Sequence, residues 1–302
     1  MQINVLPEKL RRLEISGRVE IANGHGQLPL VKIRTPWSAA EIHLHGAHVS
    51  SFQKNGGPPM IFMGRKSYFA PGKAIRGGVP VCFPWFGPRD GGPAHGFARF
   101  MAWELVKTAV ADNGTVTVHF ALPEIAGREN WKSLRTEFIV TVGETLTMEL
   151  VATNDSCGET LEIENCLHTY FQVGDIGAVS LAGLQGAPFD DFAFDAGGAR
   201  RNGDAAPLRI TQETNRVYPD NTATVEIIDE KLKRTIRVEK SNSKSTVVWN
   251  PWTTQKMPED FDQAEHRQMV CVESGNMKQN KISLPPGKSS ALKVVLSSAA
   301  LK

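Results

Sequence analysis

The stretch TEFIVTVGETLTMELVAT, Thr136 to Thr153, decides the fold class of this chain. Apolar and polar residues alternate on both sides of Gly143-Glu144, as they do in strands that bury one face. A glycine and a charged residue between two such runs are typical of a turn. The stretch therefore predicts two antiparallel strands joined as a β-hairpin.

The same alternation recurs along most of the chain and predicts many more strands. The further runs are PLVKIRT, EIHLH, GTVTVHFAL, HTYFQV, TATVEII, RTIRVEK, STVVW and ALKVVLSS. Helix candidates are few: Pro7–Leu13 is short, and Pro258–His266 has room for a turn or two after its proline. Many short strands with rare helices predict an all-β fold, a large antiparallel β-sandwich or a barrel.

The domain organisation is expected to be simple. No internal repeat or linker divides the 302 residues, so residues 1–302 are expected to form one domain. The segment from Leu184 to Ala206 is rich in Gly, Ala and Asp and is predicted to be a long surface loop that borders a site.

Composition and charge exclude several classes of function. Hydrophobic residues make up 41% of the chain, which is ample for a core, and the formal net charge is only +2. Nucleic-acid and membrane-surface binding usually need a strongly basic face, so neither is expected as a partner. Any anion site should be local and built from a few arginines.

The N-terminal sequence and the cysteines indicate a cytoplasmic protein. MQINVLPEKLRRLEISG lacks the apolar segment of a secretory signal, and no apolar run approaches the roughly 18 residues of a membrane span. No C-x-x-C pair occurs among the four cysteines, which are Cys82, Cys157, Cys166 and Cys271. Two disulfides are an alternative, but reduced thiols are favoured without a signal peptide.

Two loops carry candidate anion-binding arginines. AIRGGVPVCFPWFG, Ala74–Gly87, places Arg76 before two glycines, and PRDGGPAHGFARF, Pro88–Phe100, holds His95 and Arg99. If the loops meet, the two guanidinium groups suit a phosphate, which accepts paired hydrogen bonds. Glycines permit close approach, and prolines and aromatics hold the loop rigid. The alternative is that both arginines form buried pairs with Asp or Glu.

A histidine and a glutamate are candidate acid–base groups. In LHTYFQVGD, Leu167–Asp175, strand alternation puts His168, Tyr170 and Gln172 on one side; this is either an exposed polar face or a site. In MVCVESGN, Met269–Asn276, Cys271 and Glu273 share a face, and Ser-Gly-Asn is expected to end the strand after Glu273. A partly desolvated glutamate there would have a raised pKa and serve as a general base.

Two other groups of residues leave alternatives open. HLHGAH, His43–His48, holds three histidines within six residues, but no Asp, Glu or Cys completes a familiar metal-ligand set. Structural histidines are favoured there over a metal site. VVWNPW, Val247–Trp252, places two tryptophans around a turn, where they either stack on a sugar ring or pack in the core.

Taken in order, these motifs resemble one known family. The set AIRGGVPVCFPWFG, PAHGFAR, LHTYFQVGDI, TNRVY, VVWNPW, MPEDF and VCVESGN is similar to the hexose-6-phosphate mutarotases, or glucose-6-phosphate 1-epimerases, of the aldose 1-epimerase group. The resemblance implies a large antiparallel β-sandwich with a ligand groove. It also implies that His168 and Glu273 form the catalytic pair and that Arg76 and Arg99 bind phosphate.

The resemblance also implies the reaction and the remaining binding residues. Glu273 takes the proton of the C1 hydroxyl while His168 protonates the ring oxygen, which interconverts the anomers of a hexose 6-phosphate without metal or cofactor. His95 and Asn215 are expected to bind the substrate, and a monomer is expected. This chain has Ala94 where relatives commonly have glutamine, and Asn215 where they have an aspartate that contacts sugar hydroxyls; asparagine still hydrogen-bonds but carries no charge.

Two alternatives to this function are an aldose 1-epimerase for unphosphorylated sugars and a non-catalytic sugar-phosphate binding protein. The arginines argue against the first, since a neutral sugar gives them no charge to neutralise.

Overall fold

The computed structural model describes residues 6–124 and 129–301. Within these ranges the strands, numbered along the chain, are β1 (Val19–Asn23), β2 (Pro29–Arg34), β3 (Ser38–His43), β4 (His48–Lys54), β5 (Val81–Cys82), β6 (Glu104–Val110), β7 (Val116–Ala121), β8 (Leu134–Val142), β9 (Leu146–Asn154), β10 (Leu161–Ile163) and β11 (Asn165–Leu167). They continue with β12 (Tyr170–Gln172), β13 (Val179–Ala182), β14 (Phe189–Asp191), β15 (Ala199–Arg201), β16 (Thr214–Pro219), β17 (Val225–Asp229), β18 (Arg234–Ser241), β19 (Ser245–Asn250), β20 (Met269–Asn276), β21 (Ile282–Leu284) and β22 (Ser289–Ala300).

Helical structure is scarce in the described ranges, as the sequence predicted. One α-helix, α1 (Glu8–Arg11), is joined by short 3₁₀ turns at His25–Gln27, Ala98–Phe100, Glu129–Trp131, Ile176–Ala178, Gln263–Gln268 and Lys278–Asn280. In this part of the chain no helix has the length and apolar character needed to cross a bilayer.

Two eight-stranded antiparallel sheets make up most of the fold. One has the order β13-β17-β18-β22-β9-β8-β7-β6. The other has the order β15-β14-β16-β19-β20-β11-β5, with β12 also paired to β20. A four-stranded sheet, β1-β2-β3-β4, and the pair β10-β21 complete the set. One hydrophobic core takes residues from both large sheets, such as Phe138 and Val272, so the all-β sandwich predicted from the sequence is confirmed.

The β8–β9 hairpin matches the prediction from Thr136–Thr153. Val142 and Leu146 are cross-strand partners, and Gly143 lies in the turn between them. Buried residues alternate along β8, because every second side chain enters the core. The Gly143 carbonyl also accepts a 2.6 Å hydrogen bond from Ser38 Oγ, which ties the turn to the four-stranded sheet.

Strand β20 is longer than the sequence predicted. The expected end after Glu273 is wrong, because Ser274–Asn276 continue the strand and pair with β11. All eight residues of β20 are buried. Val270 and Val272 enter the large core, while Cys271 and Glu273 lie on the opposite face. Strand β11 provides hydrogen-bond partners for the backbone of Ser274–Asn276, so these residues extend the strand and do not form a turn.

Two other predictions about local structure need correction. HTYFQV is not a continuous strand, since β11 ends at Leu167 and β12 begins at Tyr170. Residues 184–206 are not all loop, because β14 and β15 form a hairpin there at the sheet edge. The turn predicted after Pro258 is present, since Phe261 N–H donates to the Pro258 carbonyl at 3.0 Å, and a 3₁₀ turn follows at Gln263–Gln268, where the Asp262 side chain accepts from Ala264 N–H.

Candidate active site

A cavity of about 590 Å³ lies on the face of the large sheet that carries β16, β19 and β20. The six residues that the sequence singled out all line it: Arg76, His95, Arg99, His168, Asn215 and Glu273. The described structure therefore brings together side chains that are nearly 200 positions apart in the chain. Their roles in binding and catalysis stay predictions.

Glu273 and His168 meet at the floor of this cavity. The register of β11 and β12 against β20 puts His168 across from Glu273. His168 Nε2 lies 3.3 Å from Glu273 Oε1, with side-chain exposures of 11% and 1%. The distance permits a proton to pass between the two groups. The alternative of an exposed polar face at His168 is wrong, because both His168 and Tyr170 are buried.

A kink in the chain positions His168. Thr169 N–H donates to the Leu167 carbonyl at 3.0 Å, which closes a tight three-residue turn centred on the histidine. His168 N–H donates to the Pro80 carbonyl, and Tyr170 N–H donates to the Gly78 carbonyl. The backbone of the histidine is thus held by the same loop that carries Arg76.

Aromatic rings fix the orientation of the His168 imidazole. Tyr170 stacks on it with ring centroids 4.9 Å apart and an interplanar angle of 11°. The rings of His95 and Trp249 meet it edge-on, at 5.7 Å and 6.2 Å. Three contacts from different elements leave the imidazole little rotational freedom, which suits a group that must deliver a proton to one atom.

Burial shifts the acid–base groups in opposite directions. Burial raises the pKa of Glu273 to about 8. The Cys166 thiol and the Arg99 charge oppose this shift, because both favour the carboxylate. The Cys166 thiol donates to Glu273 Oε2 at 3.5 Å. Burial, followed by the electrostatic effect of the neighbouring His95 ring and the charges of Arg99 and Arg76, holds the pKa of His168 well below 6.5. Near neutral pH the pair therefore holds one proton, mainly on Glu273.

Arg76 both forms an ion pair and lines the cavity. Its Nε donates to Asp260 Oδ2 at 2.9 Å, and its backbone N–H donates to Ser67 Oγ at 2.7 Å. The alternative of a buried structural pair is therefore correct for Arg76 as far as Asp260 is concerned. The Arg76 side chain remains 29% exposed and lines the cavity, so the pair orients a guanidinium that still faces the cavity.

Arg99 is held by the main chain. Its Nη2 donates to the Ala94 carbonyl at 2.7 Å, and its guanidinium carbon lies 4.9 Å from the centre of the Phe100 ring. Burial lowers the pKa of Arg99, and the charge of Arg76 lowers it further, although Cys82, Tyr170 and Asp260 oppose the shift. Two neighbouring, poorly solvated cations favour the entry of an anion.

His95 is a neutral hydrogen-bond donor at the cavity wall. Its φ of +63° is left-handed, and the Gly87 N–H donates to its Nδ1 at 3.3 Å. Burial and the charges of Arg99 and Arg76 lower the pKa of His95 to about 3. With Nδ1 accepting, the proton of the neutral ring lies on Nε2, which is free to donate.

Asn215 and Trp249 are adjacent residues of the cavity floor. They are cross-strand partners on β16 and β19. Trp249 lines the cavity, and its indole N–H donates to Gln255 Oε1 at 3.0 Å. Trp252 packs against the large core instead. Core packing is therefore the outcome for Trp252, whereas Trp249 both packs against the cluster of Phe62 and Tyr170 and lines the cavity, and its stacking on a sugar stays a prediction.

Several residues of the site were missed or given no role in the sequence analysis. They are Cys166, Lys256, Asp260 and Lys278. Asp260 stands in the MPEDF motif and could have been assigned as an arginine partner. Lys278 has a left-handed φ of +56°, and its ammonium lies 3.8 Å from the centre of the Phe192 ring. No sequence pattern indicates that contact, because it depends on β14 reaching the cavity edge.

The histidines of His43–His48 do not form a metal site in the described structure. All three are buried, and His45 Nε2 lies 2.6 Å from the Lys73 carbonyl, so the structural interpretation fits them. Within the described ranges, the one group whose ligand atoms converge is His168, Cys271 and Glu273, all within 4.8 Å of one another.

Comparisons with known proteins agree with the sequence motifs. The family model described as Aldose 1-epimerase matches residues 29–297. A protein of Escherichia coli K12 named "Putative glucose-6-phosphate 1-epimerase" is 35% identical over 260 residues, covering 82% of this chain and 83% of its own length. One of the same name from Cenchrus ciliaris is 32% identical over 269 residues, covering 85% and 80%. The crystal structure of a "putative mutarotase" from Salmonella typhimurium has a TM-score of 0.86 and 30% identity, covering 97% and 99%.

Proposed function

Because the chain belongs to the aldose 1-epimerase family, we propose that it interconverts the α and β anomers of D-glucose 6-phosphate and related hexose 6-phosphates. The observation that carries this proposal is one cavity that combines an acid–base pair, 3.3 Å apart, with two arginines. The pair suits ring opening of a hemiacetal, and the arginines suit the phosphate of its substrate.

In the proposed reaction, Glu273 as carboxylate takes the proton of the C1 hydroxyl, and His168 as imidazolium gives a proton to the ring oxygen. The bond between C1 and the ring oxygen breaks as the C1 carbonyl forms. Rotation about the C1–C2 bond presents the other carbonyl face, and the ring closes with the two roles reversed. Each proton transfer contributes about 10²–10⁴-fold to the rate.

Substrate binding places the proton of the pair where the reaction needs it. Before binding, the single proton lies mainly on Glu273, because burial raises its pKa and lowers that of His168. The reaction needs the same proton on His168. A phosphate dianion beside Arg76 and Arg99 neutralises charges that lower the pKa of His168. Arg99 also favours the Glu273 carboxylate, so its neutralisation raises the pKa of both groups. Neutralisation of Arg76 raises the pKa of His168 alone and thus favours proton transfer across the 3.3 Å gap without exchange with solvent.

The remaining cavity residues orient the sugar. His95 donates a hydrogen bond from Nε2, Asn215 bonds sugar hydroxyls through its amide, and Trp249 offers an apolar face to the ring. We also infer that residues 1–302 act as one catalytic domain, as a monomer and in the cytoplasm. Light scattering on the purified chain checks the oligomeric state.

Anomer exchange measured on freshly dissolved sugar tests the proposal. Polarimetry or NMR exchange is run on α-D-glucose 6-phosphate and on α-D-glucose with equal amounts of the protein. Acceleration of the phosphate ester alone supports the proposal. Equal acceleration of both sugars identifies a general aldose 1-epimerase instead. Binding of the ester without acceleration of either sugar identifies a non-catalytic sugar-phosphate binding protein.

A further inference from the structure

Cys271 lies beside the acid–base pair but takes no part in the proposed reaction. It is two residues before Glu273 on the same face of β20 and is fully buried. Its sulfur, His168 Nε2 or Nδ1 and a Glu273 oxygen all lie within 4.8 Å of one another. Imidazole, thiolate and carboxylate are the three ligand types that Zn²⁺ takes in proteins.

We propose that His168, Cys271 and Glu273 form a three-ligand site for a soft divalent cation, Zn²⁺ or Cd²⁺, and that its occupancy inhibits the enzyme. The binding part of this inference stands on the ligand geometry alone, and the inhibition rests on the proposed function. The metal acts as an inhibitor because it occupies the base and the acid together.

The distances suit tetrahedral coordination. Two ligand atoms about 2.1 Å from a zinc ion, at the tetrahedral angle, are about 3.4 Å apart. The separation of His168 Nε2 and Glu273 Oε1 is 3.3 Å, so this edge of the tetrahedron is already formed. A sulfur and a nitrogen on the same ion are about 3.6 Å apart, so from a separation of at most 4.8 Å the Cys271 thiol has to approach by about 1.2 Å at most. The fourth position faces the cavity, where water completes the shell.

The charges of the three ligands suit a soft cation, and their attraction has to exceed the repulsion from Arg76 and Arg99, which line the same cavity. A thiolate, a carboxylate and a neutral imidazole balance the double positive charge, so the buried complex is neutral. The thiol proton, and any proton on Glu273, leaves to solvent on binding. His168 and Glu273 line the cavity, which gives the ion its entry path. A thiolate ligand favours Zn²⁺ and Cd²⁺ over Mg²⁺ and Ca²⁺, which prefer oxygen.

Cadmium titration of a chain carrying Cys157→Ser tests the site. This background removes the exposed thiol, which would otherwise bind cadmium independently. The thiolate–cadmium absorption in the near ultraviolet should saturate at one equivalent. Adding Cys271→Ser should abolish the absorption and weaken Zn²⁺ binding, measured by calorimetry, at least tenfold. Glu273→Gln should weaken Zn²⁺ binding as well, and Mg²⁺ should not compete.

Inhibition is measured separately from binding. Zn²⁺ should inhibit anomer exchange in the Cys157→Ser background, a chelator should restore it, and Cys271→Ser should be inhibited less relative to its own metal-free rate. Circular dichroism verifies that each variant is folded. If Cys271→Ser does not fold, Cys271→Ala is used in its place.

Specific outcomes would overturn the proposal. Unchanged Zn²⁺ affinity in a folded Cys271→Ser chain removes Cys271 as a ligand. Loss of the cadmium absorption in Cys166→Ser, with Cys271→Ser unaffected, assigns the thiolate to the neighbouring strand instead. The absorption and calorimetry report the site even if the chain accelerates no sugar, so failure of the proposed function is distinguished from failure of the metal site.

Discussion

Glu273 and His168 share one proton in the free protein, and the proton count sets the expected pH dependence. The pKa of Glu273 is raised to about 8 and that of His168 lies well below 6.5. The pair holds two protons only in acid and none above about pH 8. We expect kcat/KM to fall as pH rises through about 8, because the last proton is then lost, and to fall again well below pH 6.5.

This pH profile is measured as kcat/KM for D-glucose 6-phosphate between pH 5 and 9.5. Values below about pH 6 are corrected for the ionisation of the phosphate itself, whose second pKa is about 6. The exposed Glu159 supplies a control, since Glu159→Gln should leave the profile unchanged. Activity that increases across pH 8 would contradict the one-proton pair.

Removal of either member of the pair should abolish most of the turnover. We expect Glu273→Gln and His168→Ala each to lower kcat by about 10²–10⁴-fold with a small change in KM, because each removes one proton transfer but no phosphate contact. Stopped-flow polarimetry on purified, folded variants gives both constants. A KM effect larger than the kcat effect would assign the residue to binding instead.

The same glutamate should reduce stability at alkaline pH. Its folded-state pKa, about 8, lies above the ordinary value of 4.5, so folding takes up a proton at pH values between the two. By linkage, stability contributed by the protonated form is present at low pH and is lost as pH rises toward 8. Glu273→Gln should therefore unfold at a higher temperature than the parent at pH 9, with a smaller difference at pH 5. Calorimetric scans check this, and an equal shift at both pH values would argue against it.

Arg76 is expected to contribute binding energy specific to the phosphate. A hydrogen bond to a charged group is worth about 1.5–3 kcal/mol, so Arg76→Ala should raise KM for D-glucose 6-phosphate about 10–150-fold. Asp260→Asn serves as the matched control, because it breaks the ion pair but keeps the arginine. If Arg76→Ala leaves the preference for the phosphorylated sugar unchanged, the assignment of Arg76 is wrong.

At the scale of elements, one turn supports both arginine loops. The turn is Leu44–Ala47, which joins His43 at the end of β3 to His48 at the start of β4. His45 Nε2 lies 2.6 Å from the Lys73 carbonyl of the first loop. Gly46 N–H donates to the Met101 carbonyl beside the second, at 2.6 Å. His45 therefore has the structural function that the sequence favoured for this group of histidines over a metal site.

Gly46 tests this support. Its φ is +74°, and a Cβ there would lie 2.9 Å from the Arg99 carbonyl oxygen. Gly46→Ala should move the Arg99 loop, raise KM for the phosphorylated sugar about tenfold and destabilise the fold by about 1–3 kcal/mol. Gly56 is the matched control, with a φ of +73° and nothing within 4 Å of its Cβ. Gly56→Ala should destabilise the fold by only about 1–2 kcal/mol, the cost of a Cβ on left-handed backbone, and should leave KM unchanged.

Local pattern predicted elements better than it predicted their ends. Alternation identified β8 and β9 because each has one buried face, and this pattern is independent of the rest of the fold. The continuation of β20 past Glu273 and the break at His168 both depend on pairing with β11 and β5, which are distant in sequence. The motifs predicted the acid–base pair, but the Cys166 contact to Glu273 could not be read from them, because it crosses between neighbouring strands.

At the scale of the whole molecule, charge is concentrated rather than spread. The chain has a net charge of only +2, yet four cations line the cavity: Arg76, Arg99, Lys256 and Lys278. Glu273 is the one carboxylate among the described lining residues. We expect KM for D-glucose 6-phosphate to rise several-fold between 20 mM and 500 mM NaCl, because salt screens the cations at the cavity edge. Kinetics at the two salt concentrations check this, with kcat as the internal control. A salt-independent KM would contradict a charge-driven site.

The double burial of β20 has a consequence for how this protein can change. One face of the strand packs the interior and the other presents the base, so a single-residue insertion or deletion before Glu273 would put Val272 or Ser274 in its place and misplace the valines at once. Libraries that seek new sugar preferences would therefore lose most members if they were built in this strand. The cavity-edge residues Phe192, Gln255 and Met257 tolerate diversification better, since they touch the ligand space without setting the register of a sheet.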